Sequence, residues 1–258
     1  MINNKNYKTV DADYPILYFD KFLNDDVSKA LCNEIEDFSS FDDLVMNGRN
    51  RVNKGSENFY KYLEKYPNVL KLYNALNSEN SFLNFKNLLF NYEKKIKTAW
   101  KPIISPYKYS KEDYGEQRFN FFRYLRKSSI VSNFFSKKIN LDIDFSKSQY
   151  GYFRNAHRDR DTRVISFLIY LNTINEDEGG AFEIYKYIKG GDENLPRFPQ
   201  KSEVEKIKKF PPKAGQLFVF LSSPNSYHGV SKFLSQNKSR IFIYGSYSLD
   251  RKVKWLSK

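Results

Sequence analysis

Residues 157–172 read HRDRDTRVISFLIYLN, a charged H-x-D triplet that leads into a long β-type segment. From Val164 to Leu171 most side chains are β-branched, aliphatic or aromatic, which is typical of a buried strand. Similar short runs, separated by turn residues, occur at 181–187, 216–222 and 240–248. This succession of short strands predicts a jelly-roll barrel.

The H-x-D triplet contains one of only two histidines in the chain. Residues i and i+2 of a strand project from the same face, so His157 and Asp159 can bind one ion while Arg158 points away. His228 would reach the same ion from another element. Two imidazoles and one carboxylate form the ligand set of non-haem Fe(II) sites that keep open positions. The alternative is that His157 belongs to a charged surface turn and that His228 only fills a loop.

Several further motifs follow the triplet in a fixed order. They are YLN at 170–172, EGGAF at 178–182, PPKAGQLFVF at 211–220, HGV at 228–230 and RIFIY at 240–244. Over residues 145–250 this series resembles the 2-oxoglutarate- and Fe(II)-dependent oxygenases, specifically their prolyl-4-hydroxylase-like branch. The ordered set carries the resemblance, because no single motif is specific enough. It implies an α+β protein with a double-stranded β-helix core and flanking N-terminal helices.

The resemblance implies a role for each candidate site residue. His157, Asp159 and His228 would ligate the iron. Arg240, twelve residues beyond His228, stands where these enzymes bind the distal carboxylate of 2-oxoglutarate, a task that suits a planar, permanently charged guanidinium. Tyr170 matches a tyrosine whose hydroxyl helps to hold the same carboxylate. An ordinary strand-edge arginine and a core tyrosine with a satisfied hydroxyl are the alternatives for these two positions.

The sequence departs from many relatives at Ser148, where they have a tyrosine about nine residues before the metal-binding histidine. Tyr150 and Tyr152 are close enough in sequence to replace its contact with the cosubstrate. Only Arg163, among the arginines near the triplet, has the same strand parity as His157 and Asp159.

The reaction implied by the family is hydroxylation of an unactivated C–H bond in a protein side chain, a glycan or a small metabolite. Fe(II), 2-oxoglutarate and dioxygen are the expected cofactors, with ascorbate as an optional addition and with succinate and carbon dioxide as co-products. Asp159 favours hydroxylation, because related halogenases lack this carboxylate. Two alternatives are a nucleic-acid-modifying oxygenase of the same fold and a non-catalytic β-barrel binding module. Against the first, its members usually carry a second arginine six residues beyond the first, where this chain has Ser246.

Composition is consistent with a packed cytoplasmic enzyme. Hydrophobic residues make up 40% of the chain and aromatic residues 17%, which is enough for a large core. The single cysteine, Cys32, excludes an internal disulfide and a cysteine metal cluster. The sequence has neither the apolar core of a signal peptide nor a run long enough to span a membrane. The net charge of +13 predicts a lysine-rich solvated surface, and the alternative is a field that attracts an anionic partner.

We expect a single domain, with residues 1–140 as mainly helical support and residues 141–250 as the catalytic barrel. The predicted N-terminal elements are a strand at 16–22, helices at 24–39, 69–76 and 82–100, and a loop at 102–115.

Residues 186–209 form a long connection without a clear element, which predicts a mobile lid over the substrate or a solvated insertion. Its Gly190-Gly191 pair permits hinge-like changes, and an apolar patch from Leu195 to Pro199 could cover a ligand.

Overall fold

The computed structural model describes residues 6–37, 43–45, 48–56, 58–96, 100–111, 138–190 and 195–257. The helices are α1 (Asp25–Asp37), α2 (Phe59–Lys65), α3 (Pro67–Leu76) and α4 (Glu79–Glu93). The strands are β1 (Lys8–Thr9), β2 (Ile16–Phe19), β3 (Asp43–Val45), β4 (Arg49–Asn53), β5 (Lys101–Ile103), β6 (Lys108–Tyr109), β7 (Lys138–Ser148), β8 (Arg154–His157), β9 (Arg163–Tyr170), β10 (Phe182–Tyr187), β11 (Val204–Phe210), β12 (Leu217–Leu221), β13 (His228–Val230), β14 (Arg240–Leu249) and β15 (Lys254–Leu256). None of the helices in the described ranges has the length and apolar character needed to cross a membrane.

Two sheets form the barrel. The larger is nine-stranded, with the order β1-β2-β12-β9-β14-β7-β4-β3 and with β6 paired to β7 in parallel. The smaller has the order β11-β10-β13-β8, and its strands are antiparallel. A separate pair, β5 and β15, lies outside both sheets.

Strand β9 shows how the sequence pattern directs the packing. Ile165, Phe167 and Ile169 belong to the large apolar cluster that includes residues of all four helices. Leu168 and Tyr170, of opposite parity, belong to a second cluster with residues of β10 from the smaller sheet. Successive side chains of a strand point to opposite faces. The larger sheet is therefore covered by helices on one face and by the smaller sheet on the other.

The predicted α+β fold with a jelly-roll core is confirmed, and the four predicted barrel strands lie within a few residues of β9, β10, β12 and β14. The strand expected at 16–22 is β2, and the first two predicted helices overlap α1 and α3. The third begins earlier than predicted, because the Ser78 side chain accepts a hydrogen bond from the Ser81 amide and caps α4. It also ends earlier, at Glu93, where two lysines follow.

The N-terminal part contributes more strand than its sequence predicts. Besides the predicted β2, which pairs with β12, the N-terminal strand β4 pairs with β7 of the larger sheet. Part of the predicted loop at 102–115 belongs to β5, which pairs with β15 near the other end of the chain. These pairings join residues far apart in sequence, so a local pattern cannot reveal them. Residues 112–115 of that predicted loop lie outside the described residues.

The connection at 186–209 was wrongly predicted to lack a clear element. Its second half forms β11, which pairs along β10 from Phe182↔Phe210 to Tyr187↔Val204. None of the residues of β11 is fully buried, so its hydrogen bonds to β10, and not burial of its side chains, hold it in the sheet. Gly191, half of the predicted hinge, lies outside the described residues, and the mobility of the segment stays a prediction.

Candidate metal centre

The two histidines lie side by side on neighbouring strands. His157 ends β8 and His228 begins β13, and the two residues are directly paired in the smaller sheet. Their ring centroids are 4.6 Å apart. Asp159 lies just beyond the end of β8, in the turn before β9, rather than on the same strand as His157 as its i+2 spacing suggested. Potential ligand atoms of the three residues all lie within 4.8 Å of one another, a spacing that fits one metal ion.

The imidazole rings are oriented by backbone carbonyls. His157 Nδ1 lies 2.8 Å from the Asn155 carbonyl oxygen, and His228 Nδ1 lies 2.9 Å from that of Ser226. A carbonyl only accepts, so each Nδ1 carries the hydrogen and each Nε2 lone pair is left for a metal ion. Burial lowers the pKa of His157 to about 3 and also lowers the pKa of His228. Both rings are therefore neutral near pH 7, as metal ligation requires.

Three side chains hold the carboxylate of Asp159. Arg163 donates to Oδ1 at 2.7 Å and the Ser166 hydroxyl donates to Oδ2 at 2.5 Å. The Tyr244 hydroxyl lies 2.6 Å from Oδ1 and 2.7 Å from Oδ2. Burial acts to raise the pKa of Asp159, but the positive charge of Arg163 and the Ser166 bond contribute to a net pKa well below its usual range. The carboxylate is thus fixed and ionised beside the imidazoles.

Arg240 lies at the bottom of the same cavity and is completely buried. Its guanidinium carbon is 4.2 Å from the ring centroid of Phe242, and its Nη2 donates to the Tyr170 hydroxyl at 2.9 Å. Nε and Nη1 have no hydrogen-bond partner among the described residues. A buried cation with unused donors is costly unless an anion binds there. These donors fit a carboxylate group.

The second glycine of the Gly179-Gly180 motif lies against the side chain of Arg240. Gly180 has a φ of +67°, and a Cβ at this position would lie 2.9 Å from Arg240 Cδ. A glycine at this position therefore leaves room for the arginine side chain.

Tyr150 and Tyr152, the two proposed substitutes for the tyrosine that is missing at Ser148, differ in their positions. Ser148 is buried and paired with Arg240 across β7 and β14. Tyr152 lines the cavity, 5.8 Å from the Arg240 guanidinium carbon to its ring centroid. Tyr150 is 51% exposed and does not line the cavity. Of the two proposed substitutes, only Tyr152 lines the cavity.

The cavity has a volume of about 260 Å³. Metal-binding candidates, apolar side chains and many arginines line it: Arg49, Arg51, Asp144, Tyr152, Arg154, His157, Asp159, Arg160, Arg163, Leu168, Phe182, Arg197, Phe220, His228, Val230, Arg240, Phe242 and Tyr244. Tyr170 borders this site through its bond to Arg240.

Sequence reasoning missed several of these residues. Tyr244 has the same parity as Arg240 on β14, so strand alternation could have placed it in the cavity. Arg163 was singled out because it has the same strand parity as His157 and Asp159. In the structure it lies at the start of β9 and pairs with Asp159. Arg49 and Arg51 gave no such signal, because they depend on the distant pairing of β4 with β7.

A double-stranded β-helix with two imidazoles and one carboxylate at one cavity defines a class of mononuclear non-haem metal proteins. Residues 143–247 match the sequence profile of the 2OG-Fe(II) oxygenase superfamily. This segment contains the three candidate ligands together with Tyr170 and Arg240. The barrel segment is therefore similar to this superfamily, and the resemblance predicted from the ordered motifs is confirmed.

Several prolyl hydroxylases are similar to this chain in sequence or in fold. The chain is 30% identical over 119 residues to prolyl 3-hydroxylase OGFOD1 of Xenopus laevis, a match that covers 45% of this chain and 21% of the relative. It thus spans about a fifth of that curated relative's length. A prolyl 4-hydroxylase structure from Phytophthora capsici is 14% identical, with a TM-score of 0.52 over 92% of this chain and 59% of that chain. A prolyl-4-hydroxylase structure from Pseudomonas putida is 15% identical, with a TM-score of 0.47 over 91% and 92%. The Phytophthora match shows a shared fold.

Proposed function

We propose that this protein is an Fe(II)- and 2-oxoglutarate-dependent dioxygenase that hydroxylates an unactivated C–H bond, with a peptidyl proline as the first substrate to test. The observation that carries the proposal is that one cavity contains both the His-Asp-His cluster and a buried arginine with unused donors. The similarity to a prolyl 3-hydroxylase supports the choice of a peptide substrate.

The metal would be held by His157, Asp159 and His228. Bound Fe(II) supplies the oxygen chemistry, with 2-oxoglutarate as the reductant that leaves as succinate and carbon dioxide. The protein keeps each Nε2 unprotonated through the carbonyl bonds at Nδ1. Arg163, Ser166 and Tyr244 keep the carboxylate oriented, and such supporting contacts contribute strongly to metal affinity in comparable sites.

Arg240 would bind the distal carboxylate of the cosubstrate through its guanidinium, in which Nε and Nη1 carry unused donors. Tyr170 accepts a hydrogen bond from Nη2 and thereby fixes the plane of the guanidinium. Its hydroxyl hydrogen remains available as a second donor to the same carboxylate. Phe182, Phe220 and Phe242 form apolar parts of the cavity wall, and such walls keep water away from the reacting groups.

The nucleic-acid-modifying alternative would call for a second arginine six residues beyond Arg240, and this chain has Ser246 there. Ser246 is buried and its hydroxyl lies 2.9 Å from that of Ser248. It offers no second cation to the cavity.

The test is anaerobic reconstitution with Fe(II), followed by titration with 2-oxoglutarate and admission of oxygen. We expect a charge-transfer absorption that requires both components, and succinate formation after oxygen is added. His157→Ala and His228→Ala should abolish the absorption, whereas the exposed-surface variant Lys71→Gln should retain it. Fe(II) that binds equally well to the histidine variants would contradict the proposal.

A further inference from the structure

The cavity carries far more positive charge than a metal ion and a cosubstrate require. Among the described residues, seven arginines and two aspartates line it. Fe(II) and dianionic 2-oxoglutarate cancel each other, so five positive charges remain in excess in the loaded site. Burial acts to raise the pKa of Asp144, one of the two aspartates, which does not reduce this excess. An uncharged proline ring alone leaves the excess uncompensated.

Four of the seven arginines already have a function within the structure. Arg49 and Arg51 pair with Asp144 at 3.2 and 3.5 Å, and Arg163 pairs with Asp159. Arg240 lies at the bottom of the cavity beside Tyr170.

The other three, Arg154, Arg160 and Arg197, form no salt bridge with any residue that the structure describes. Arg160 is exposed, and Arg154 and Arg197 are half-buried. Arg160 therefore lies at the solvent end of the cavity, where an incoming substrate meets it first, and Arg154 and Arg197 line the same cavity without a salt-bridge partner.

Contacts with the metal-binding turn hold Arg197 in place. The Arg158 amide donates to the Arg197 carbonyl at 3.0 Å, and the Tyr227 hydroxyl donates to the Pro196 carbonyl at 2.6 Å. The ring of Phe198 lies 6.4 Å from that of His157, at an interplanar angle of 17°. The Arg197 Nε donates to the Arg158 carbonyl oxygen at 3.4 Å, and Arg160 lines the same cavity. Burial and the charge of Arg160 lower the pKa of Arg197. Two cations that line one cavity and form no salt bridge with the described residues are suited to bind an anion.

The neighbouring strand edge favours a peptide as the carrier of that anion. In the described part of the chain, β8 pairs only with β13 and forms one edge of the smaller sheet. An extended peptide can pair with such an edge and place alternate side chains in a cavity. Phe153 and Phe198 are 36% and 61% exposed beside this edge and the metal site and offer apolar contacts. A nucleic-acid backbone calls for a longer track of cations than three arginines at one opening.

We propose that the substrate is an acidic peptide, in which carboxylates beside the hydroxylated residue bind Arg154, Arg160 and Arg197. This inference rests on the proposed function and adds the chemical class of the substrate. Planar guanidinium groups bind carboxylates through paired hydrogen bonds. Peptide carboxylates would therefore both compensate the excess charge and direct the neighbouring side chain towards the metal.

The test uses two labelled peptides with a central proline, one flanked by glutamates and the other by glutamines. Fluorescence anisotropy measures their binding to the protein loaded with Fe(II) and 2-oxoglutarate without oxygen. We expect the glutamate peptide to bind tighter by about tenfold or more. In Arg160→Gln/Arg197→Gln this preference should disappear. The matched control Lys61→Gln/Lys71→Gln removes the same charge from exposed helix positions and should keep the preference.

Equal binding of the two peptides by the wild-type protein would overturn the acidic-peptide proposal. The same loss of preference in the lysine control would also overturn it, because the effect would then come from overall charge. Single-stranded DNA that binds tighter than the glutamate peptide, through the same arginines, would replace the peptide by a nucleic acid. Failure to bind Fe(II) and 2-oxoglutarate contradicts the proposed function, whereas normal binding of both without peptide discrimination contradicts only this inference.

Discussion

The Tyr244 hydroxyl lies 2.6 and 2.7 Å from the two carboxylate oxygens of Asp159, although 85 residues separate the two positions in the chain. Strand β14 carries Tyr244 on the same face as Arg240, so one strand serves both the candidate metal ligand and the candidate cosubstrate-binding residue. The positions of the candidate metal ligand and of the candidate cosubstrate-binding residue therefore both depend on β14.

Tyr244→Phe should weaken metal binding by about 10–100-fold, the range for loss of a supporting contact to a metal ligand. The carboxylate of Asp159 would lose the hydroxyl that contacts both of its oxygens. Titration with Fe(II) or Mn(II) measures the change. Tyr247→Phe, on the same strand, is the control, because its hydroxyl donates to the Leu76 carbonyl on the helical side. That variant should lose about 1 kcal/mol of stability and keep metal affinity. Unchanged metal affinity in Tyr244→Phe would contradict the assignment.

Arg240→Ala should weaken 2-oxoglutarate binding by roughly 2–5 kcal/mol, the range for truncating one member of a buried charge pair. Metal binding should largely survive, because Arg240 contacts none of the three candidate ligands in the structure. Isothermal titration of the metal-loaded protein measures both affinities. Tyr170→Phe should have a smaller effect, about 0.5–1.5 kcal/mol. Wild-type affinity for 2-oxoglutarate in Arg240→Ala would make Arg240 a structural residue.

The metal-free protein should lose stability as the pH falls below about 6.5. Burial lowers the pKa of both imidazoles in the folded state, so the unfolded chain binds protons first. The free energy of unfolding should fall by up to about 1.4 kcal/mol per pH unit for each imidazole that stays neutral. For His157 this loss continues until the pH reaches its folded pKa of about 3. Urea unfolding at several pH values measures the slope. His157→Gln/His228→Gln contains no histidine and should lack the part of the slope between pH 6.5 and 5; an equal slope there would refute the explanation.

The predicted lid has a specific attachment that can be removed. The Tyr227 hydroxyl bonds to the Pro196 carbonyl, so Tyr227→Phe should free the segment around residues 195–198. We expect faster amide hydrogen exchange there and a larger fraction of 2-oxoglutarate consumed without hydroxylation, because water enters the cavity. Tyr187→Phe is the matched control, since the Tyr187 ring stacks on Tyr227 with centroids 5.6 Å apart. Identical exchange and coupling in Tyr227→Phe would show that this bond does not govern the segment.

The sequence was sufficient where function depends on motifs and strand alternation. His157, Asp159, His228 and Arg240 were all identified from the ordered series of motifs, and the structure brings the three candidate metal ligands together. The sequence did not show that Arg49 and Arg197 line the cavity. Arg49 depends on the pairing of β4 with β7, and Arg197 depends on contacts between an insertion and the metal-binding turn. Both arise from long-range packing of polar segments, which leaves no periodic signal in the chain.

Substitution of Gly180 tests whether the Arg240 side chain can shift without loss of function. Gly180 and Gly190 have similar φ values, +67° and +70°. A Cβ at Gly180 would lie 2.9 Å from Arg240 Cδ, whereas a Cβ at Gly190 would have no described heavy atom within 4 Å. Gly190→Ala should therefore cost only the backbone strain, about 1–2 kcal/mol. Gly180→Ala should cost more and should also weaken 2-oxoglutarate binding, because the guanidinium is displaced from Tyr170. Urea unfolding and cosubstrate titration measure the two effects. Equal losses of stability with unchanged 2-oxoglutarate affinity in both variants would mean that Arg240 can shift without consequence, and that the glycine pair serves the turn alone.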